Sequence, residues 1–138
     1  MGIRRKGREI AMQALYQVAI QGEGVLEELT FDWLRSGTSS SITDFATGLI
    51  RGAVEKSSES DLLINRFLIN WSPERLGLVE RSILRLAVFE ILHRGEIPSE
   101  VSVTEAVSLA RKFCDPEAYK LINGVLNAVI GHTRKAAL

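Results

Sequence analysis

Apolar side chains return along this chain at intervals of three and four, the period of an α-helix, and nowhere with the alternation and hairpin turns of strands. The densest run lies between Leu78 and Leu92. There Leu78, Val79, Ile83, Leu84, Leu86, Ala87, Val88, Phe89, Ile91 and Leu92 cover most of a helix circumference and leave Arg81, Ser82, Arg85, Glu90 and His93 as a narrow polar seam. A helix apolar on most sides must be surrounded. Lipid is excluded as the surrounding, because the run is shorter than the roughly 20 apolar residues of a membrane span and Arg81, Arg85 and Glu90 interrupt it. The stretch Glu74 to Arg94 is therefore expected to be the central rod of a helical bundle.

The flanking pattern predicts the rods around it. Ile10, Ala11, Ala14, Leu15 and Val18 give a first helix over about residues 8–20, stopped by Gly22 and Gly24. Leu26, Leu29 and Trp33 give a short second helix, and the SGTSSS run (36–41) a loop. Ser41 followed by Asp44 resembles a capping box ahead of Phe45, Leu49, Ile50, Ala53 and Val54, a third helix ending near residues 56–60. Leu63, Ile64, Phe67, Leu68 and Trp71 supply the stripe of a fourth. Ser72 and Pro73 pair an N-cap with a proline at the first helical position, and Gly77 separates that turn from the rod.

Ile97-Pro98 makes an extended link, since the residue before proline is driven from the α region. Ser102 to Glu105 reads as a full capping box opening a sixth helix through Val103, Ala106, Val107, Ala110 and Phe113. Asp115-Pro116 repeats the cap-then-proline signal for a seventh, carried by Ile122, Val125, Leu126, Val129 and Ile130 as far as Gly131. Asn123-Gly124 sits within that helical spacing, so Gly124 is expected to permit a close helix crossing. The expected architecture is all-α: about seven helices in two three-helix halves, one compact domain over residues 1–138.

Composition narrows the function. A chain of 138 residues with 46% hydrophobic and 25% charged residues is long enough to remove roughly 68% of its unfolded surface from water. The single cysteine, Cys114, excludes an internal disulfide, and no apolar signal segment follows the start, so a reducing cytoplasm is expected. His93 and His132 lack metal-site spacing, and Asp115 beside Cys114 disfavours a thiolate. No phosphate-binding glycine loop or nucleophile elbow is present, so neither enzyme chemistry, cofactor nor metal is expected.

The zero net charge conceals a gradient. Arg4, Arg5, Lys6 and Arg8 lie in the first eight residues without an acid, which leaves 13 basic residues against 17 acidic ones elsewhere, a balance of minus four. Cations at a helix start oppose its dipole. Charge alone fits a solvated chain end equally well. The unbroken run into the first helix, and Gly7, which would let backbone approach a phosphate, turn the reading toward RNA. Bases need aromatic platforms. Tyr16 lies off the first helix's apolar stripe, and Phe113, Tyr119, Lys112 and Lys120 cluster at the last joint, where spacing alone equally fits core and rim residues.

Four segments in order carry a specific resemblance: RRKGREIAMQALYQ (4–17), WSPERLGLVERSILRLAVFEIL (71–92), IPSEVSVTEAVSLARKF (97–113) and KLINGVLNAV (120–129). Over nearly its whole length the chain resembles the transcription antitermination factor NusB family. The resemblance implies an all-helical, non-catalytic RNA-binding protein. It implies that such a protein binds the boxA element of nascent ribosomal RNA leaders with ribosomal protein NusE and joins the RNA polymerase elongation complex with other Nus factors. Carried over by position, Arg4, Arg5, Lys6 and Arg8 match the RNA-contacting start, and Lys112, Phe113, Glu117, Lys120 and Asn123 a second RNA-facing region. Tyr16, Glu74 and Glu80 match positions facing NusE. Family members occur as monomers and as homodimers. Leu121 departs from a phenylalanine common in the family, and Asp115-Pro116 from a glycine-bearing turn. A related domain begins some ribosomal RNA methyltransferases, and a protein-only helical scaffold is the remaining alternative.

Overall fold

The computed structural model describes residues 2–22, 24, 39–69 and 71–137. They form α1 (Ile3–Gln21), α2 (Ser40–Glu55), α3 (Ser57–Arg66), α4 (Leu78–His93), α5 (Ser99–Phe113) and α6 (Pro116–Ala137), with a 3-10 turn at Pro73–Arg75 ahead of α4. No strand occurs among the described residues. The expected helix at Leu26, Leu29 and Trp33, and the first half of the SGTSSS run, lie outside them.

The rod predicted from Leu78 to Leu92 is α4, and it packs against each of the other five helices among the described residues. Ile83, Leu84 and Val88 are fully buried, and Leu86 and Ala87 nearly so. Two three-helix sets share it, α1/α2/α4 and α4/α5/α6, while α3 leans on α2, α4 and α6. The halves are thus fused through one rod. The seam is used as well. Arg85 makes a bidentate pair with Asp61 of α3 at 2.8 and 2.7 Å, Arg81 reaches Asp61 and Asn65, and His93 meets Glu59 at 3.0 Å. No helix among the described residues is long and apolar enough to cross a membrane.

Several boundaries differ from expectation. α1 begins at Ile3, so the basic run is helical from its first residue; arginine and lysine are good helix formers, which offsets the dipole cost. It ends at Gly22, as predicted, whose φ of 88° suits glycine and whose N–H donates to the Val18 carbonyl. α2 is capped by Ser39, not Ser41: Ser39 Oγ accepts from the Ile42 N–H at 3.3 Å. Adjacent serines offered equivalent caps.

α5 starts at Ser99 behind Pro98, three residues before the apparent capping box. Ser102 is already inside the helix, and both members of the box are spent elsewhere, as described below. Asp115 does cap α6, accepting from the Ala118 N–H at 2.9 Å. The helix runs past Gly131 to Ala137: one interior glycine costs only about 1 kcal/mol relative to alanine, and the His132 ring rests 5.9 Å from Phe67. Gly124 faces open space rather than a helix crossing.

The largest correction concerns Arg8. Expected among the RNA-contacting cations, it is 3% exposed. Its Nε donates to Glu90 Oε1 and Oε2 at 3.1 and 2.9 Å and its Nη2 to Oε1 at 2.8 Å, while Ser102 Oγ donates to the same Oε1 at 3.1 Å. Glu90 and Ser102 are each 1% exposed. Ile83, Leu86, Ala106 and Leu109 close around the pair and leave no room for water. One buried carboxylate therefore ties α1, α4 and α5 together.

Removing one partner of a buried pair strands a charge, whereas exposed charges cost little to delete. Arg8→Ala is expected to lower unfolding free energy by about 3–5 kcal/mol. Ser102→Ala should cost about 1.5–3 kcal/mol, and Arg4→Ala less than about 0.5 kcal/mol, all by urea denaturation followed by circular dichroism.

Candidate nucleic-acid interface

The helical register of α1 divides its cations. Arg4 and Arg8 fall one turn apart, and both guanidinium groups lie over the Phe45 ring of α2, at 5.7 and 5.6 Å. Arg8 continues into the core, whereas Arg4 stays exposed at the rim. Gly7 is buried: a methyl there would lie 2.6 Å from Phe45 Cδ2. Its bare face admits the ring of α2, and the expected approach of this backbone to a phosphate is replaced by helix packing. Arg5 and Lys6 point outward with Arg4.

Two ion pairs join α1 to α5 in opposite senses. Arg5 donates through Nε and Nη2 to Glu105 at 3.0 Å each, and Lys112 Nζ donates to Glu9 at 2.9 Å. The bond and the charge of Glu105 push the Arg5 pKa further up. Both cations remain about half exposed, at 54% and 53%. Exposed pairs of this kind contribute about 0–1 kcal/mol each, so they orient side chains more than they stabilise the fold. Arg4 and Lys6 have no ion-pair partner among the described residues.

This latch brings the start of α1 to the end of α5. Phe113, the last residue of α5, is 39% exposed, with Lys112 Nζ 5.5 Å from its ring centre. Glu117, Lys120 and Asn123 are exposed at intervals of three on α6, a spacing that puts them on neighbouring turns of one face. Leu121, by contrast, packs against the core. A cationic helix start, an exposed aromatic ring and a polar helical stripe are features that a single-stranded polyanion with stackable bases can use.

The residues matched to a protein partner are less gathered. Tyr16 is 38% exposed on α1, and Glu74 is exposed on the 3-10 turn. No hydrogen bond or ion pair joins Tyr16, Glu74 and Glu80 among the described residues. Glu80 is half-buried, and its carboxylate folds back over Gly77. It also adjoins Cys114, so this acid sits at the α5/α6 joint. Burial first, then the charges of Glu80 and Asp115, push the Cys114 thiol up to about 11.

Glu9 and Glu105 carry no local sequence signal for this role. Their partners lie 103 and 100 residues away, beyond any local pattern, and Glu105 was masked by its fit to a capping box.

Residues 5–131 match the NusB family model. The chain is 39% identical to the transcription antitermination protein NusB of Symbiobacterium thermophilum, over 97% of this chain and 93% of that protein. It is 38% identical to the protein of the same name from Myxococcus xanthus, over 94% and 95%. Among solved structures, T. maritima NusB superposes with a TM-score of 0.84 at 33% identity, covering 98% of this chain and 97% of that one. A crystal structure of antitermination factors NusB and NusE in complex with double-stranded RNA gives 0.82 at 30% identity, covering 96% and 98%.

The raised thiol pKa has a measurable consequence. At pH 8 a group at about 11 holds roughly 0.1% thiolate, against about a quarter for an ordinary cysteine. Alkylation of Cys114 by iodoacetamide is expected to be at least ~100-fold slower in the native protein than in urea, corrected for reagent behaviour with a free thiol.

Proposed function

Because the chain belongs to the NusB family, a family of transcription antitermination factors and not of enzymes, we propose that it binds the boxA element of nascent ribosomal RNA leaders together with ribosomal protein NusE. In this reading the whole chain acts as one RNA-binding domain in the cytoplasm, and the complex joins the RNA polymerase elongation complex with other Nus factors. The observation that carries it is the latch between α1 and α5. Through Arg5 with Glu105 and Lys112 with Glu9, two stretches remote in sequence form one cationic surface ending at an exposed ring.

In this reading Arg4, Arg5, Lys6 and Lys112 meet sugar-phosphate, Phe113 offers a stacking face, and Lys120, Asn123 and Glu117 meet nucleotides along α6. Phosphate contacts set affinity and position, while ring and amide contacts read bases. Arg8 supports the surface from beneath. Tyr16, Glu74 and Glu80 form the NusE-facing side, where acids complement a basic ribosomal protein and set encounter rate and register. The position of Glu80 beside Cys114 favours a composite arrangement, in which NusE and RNA meet near the α5/α6 joint.

Labelled boxA and scrambled single strands, titrated at two salt concentrations with and without NusE, test the proposal. Preference for boxA and a gain on adding NusE are expected; equal affinities with no gain favour a protein-only scaffold. With Arg8 buried, Arg4, Arg5 and Lys6 contribute about −2.1 to the log-log salt slope, roughly 0.7 for each phosphate on a single strand. Replacing those three by alanine should remove that share while leaving the melting temperature nearly unchanged. Glu80→Lys is expected to weaken NusE binding more than RNA binding by the protein alone, and the opposite order contradicts the surface assignment.

A further inference from the structure

Two shallow grooves lie side by side along the seam between α1 and α5, sharing Arg5 and Ser108 as their common wall. They differ in charge. The first, about 190 Å³, has Glu9 and Glu105 among its lining residues as well as Arg5 and Lys112, so its exposed cations already face carboxylates. The second, about 370 Å³ and more open, is lined by Arg5, Thr104, Ser108, Arg111 and Asn123 with two valines, and no acid. It is a trough of mixed polarity with two guanidinium groups and no carboxylate in its lining, Arg5 being paired with Glu105 and Arg111 with no acid among the described residues.

Both arginines are held in place. Arg5 spends Nε and Nη2 on Glu105 and keeps Nη1 without a partner among the described residues. The Arg111 guanidinium lies 5.2 Å over the Tyr119 ring, a contact that braces its plane, and the residue is exposed. Arg111 has no ion pair among the described residues. Planar guanidinium donors match phosphate oxygens two at a time, and the Thr104 and Ser108 hydroxyls and the Asn123 amide share the lining with them, groups that can meet further phosphate or ribose oxygens. Asn123 also belongs to the exposed stripe of α6, so the trough is continuous with the surface already assigned to RNA.

We propose that this trough, centred on Arg111, seats a phosphodiester segment of the transcript, extending the RNA track from the α5/α6 joint along the α5 face toward α1. The inference rests on the RNA-binding reading above. It adds Arg111 as a phosphate-binding residue and Ser108 as part of the trough wall. A contact of this kind carries no base preference, so its loss weakens boxA and scrambled strands alike.

The test compares wild type, Arg111→Gln, Ser108→Asp, Arg4→Gln and Arg134→Gln by fluorescence titration of both strands across a salt series, with melting temperatures as a check on folding. Losing one single-strand phosphate contact flattens the log-log slope by about 0.7, which corresponds to about fivefold weaker binding at 0.1 M salt relative to a 1 M reference. Arg111→Gln is expected to show that flattening with both strands, and Ser108→Asp at least as large a loss, because it places a carboxylate in the trough. Arg134→Gln, whose side chain pairs with Glu100 on the exposed far part of α6, should match wild type. If Arg111→Gln and Ser108→Asp bind as wild type while Arg4→Gln is weakened, the trough proposal is overturned and the RNA-binding reading stands. If wild type binds neither strand, both fall together.

Discussion

A single carboxylate organises this molecule. Glu90 lies among Val88, Phe89 and Ile91 in the most apolar rod of the chain, where an unpaired charge costs several kcal/mol. It is made tolerable by two donors from different helices, Arg8 of α1 and Ser102 of α5. An ion pair so placed is weak evidence for stability, since well-packed hydrophobes of the same volume do as well or better. Its effect here is positional. Turning α1 by one residue rotates it about 100°, which would withdraw Arg8 from Glu90 and leave a carboxylate stranded in a space too tight for water. The angular setting of α1 is thereby fixed, and with it the direction in which Arg4, Arg5 and Lys6 face.

That division of labour among neighbouring cations resolves the conflict between a basic helix start and the helix dipole. Arg8 is neutralised inside. Arg5 is shared with Glu105 at the surface, and Arg4 is braced over Phe45. The acids are arranged so that the cations are oriented but still exposed. On the proposed reading, an incoming phosphate would compete with Glu105 and Glu9 for partners already half in water, an inexpensive exchange. Holding the cations in advance reduces the side-chain entropy lost on binding. The aromatic and amide groups at the α5/α6 joint then sit at a fixed offset from them, because α5 is tied to α1 both at the surface and through the core.

Much of the fold was legible in the sequence because helical periodicity is a local property. The central rod, the stop at Gly22, the cap at Asp115 and the short turn before Gly77 all follow from residues within a few positions of one another. What escaped depends on tertiary partners. The Ser102/Glu105 spacing satisfied the capping rule, but Pro98 starts the helix a turn earlier and frees both side chains for α4 and α1. Gly7 and Gly124 have surroundings opposite to those their sequence context suggests, since nothing local says that Phe45 lies over one and solvent over the other. Arg8 was grouped with its basic neighbours, although position 8 extends the Ala11/Leu15 stripe and Glu90 interrupts an apolar run. Read together, those two anomalies point to each other.

The central claim is that the cationic start of α1 is a rigid part of the core rather than a frayed end, and native-state hydrogen exchange at the amides of residues 7–10 tests it most directly. These amides are expected to exchange with opening free energies close to that of global unfolding in wild type, and Glu90→Gln to lower their protection more than that of amides in α6. Exchange at the rate of an open helix terminus in wild type, unaffected by Glu90→Gln, would contradict it.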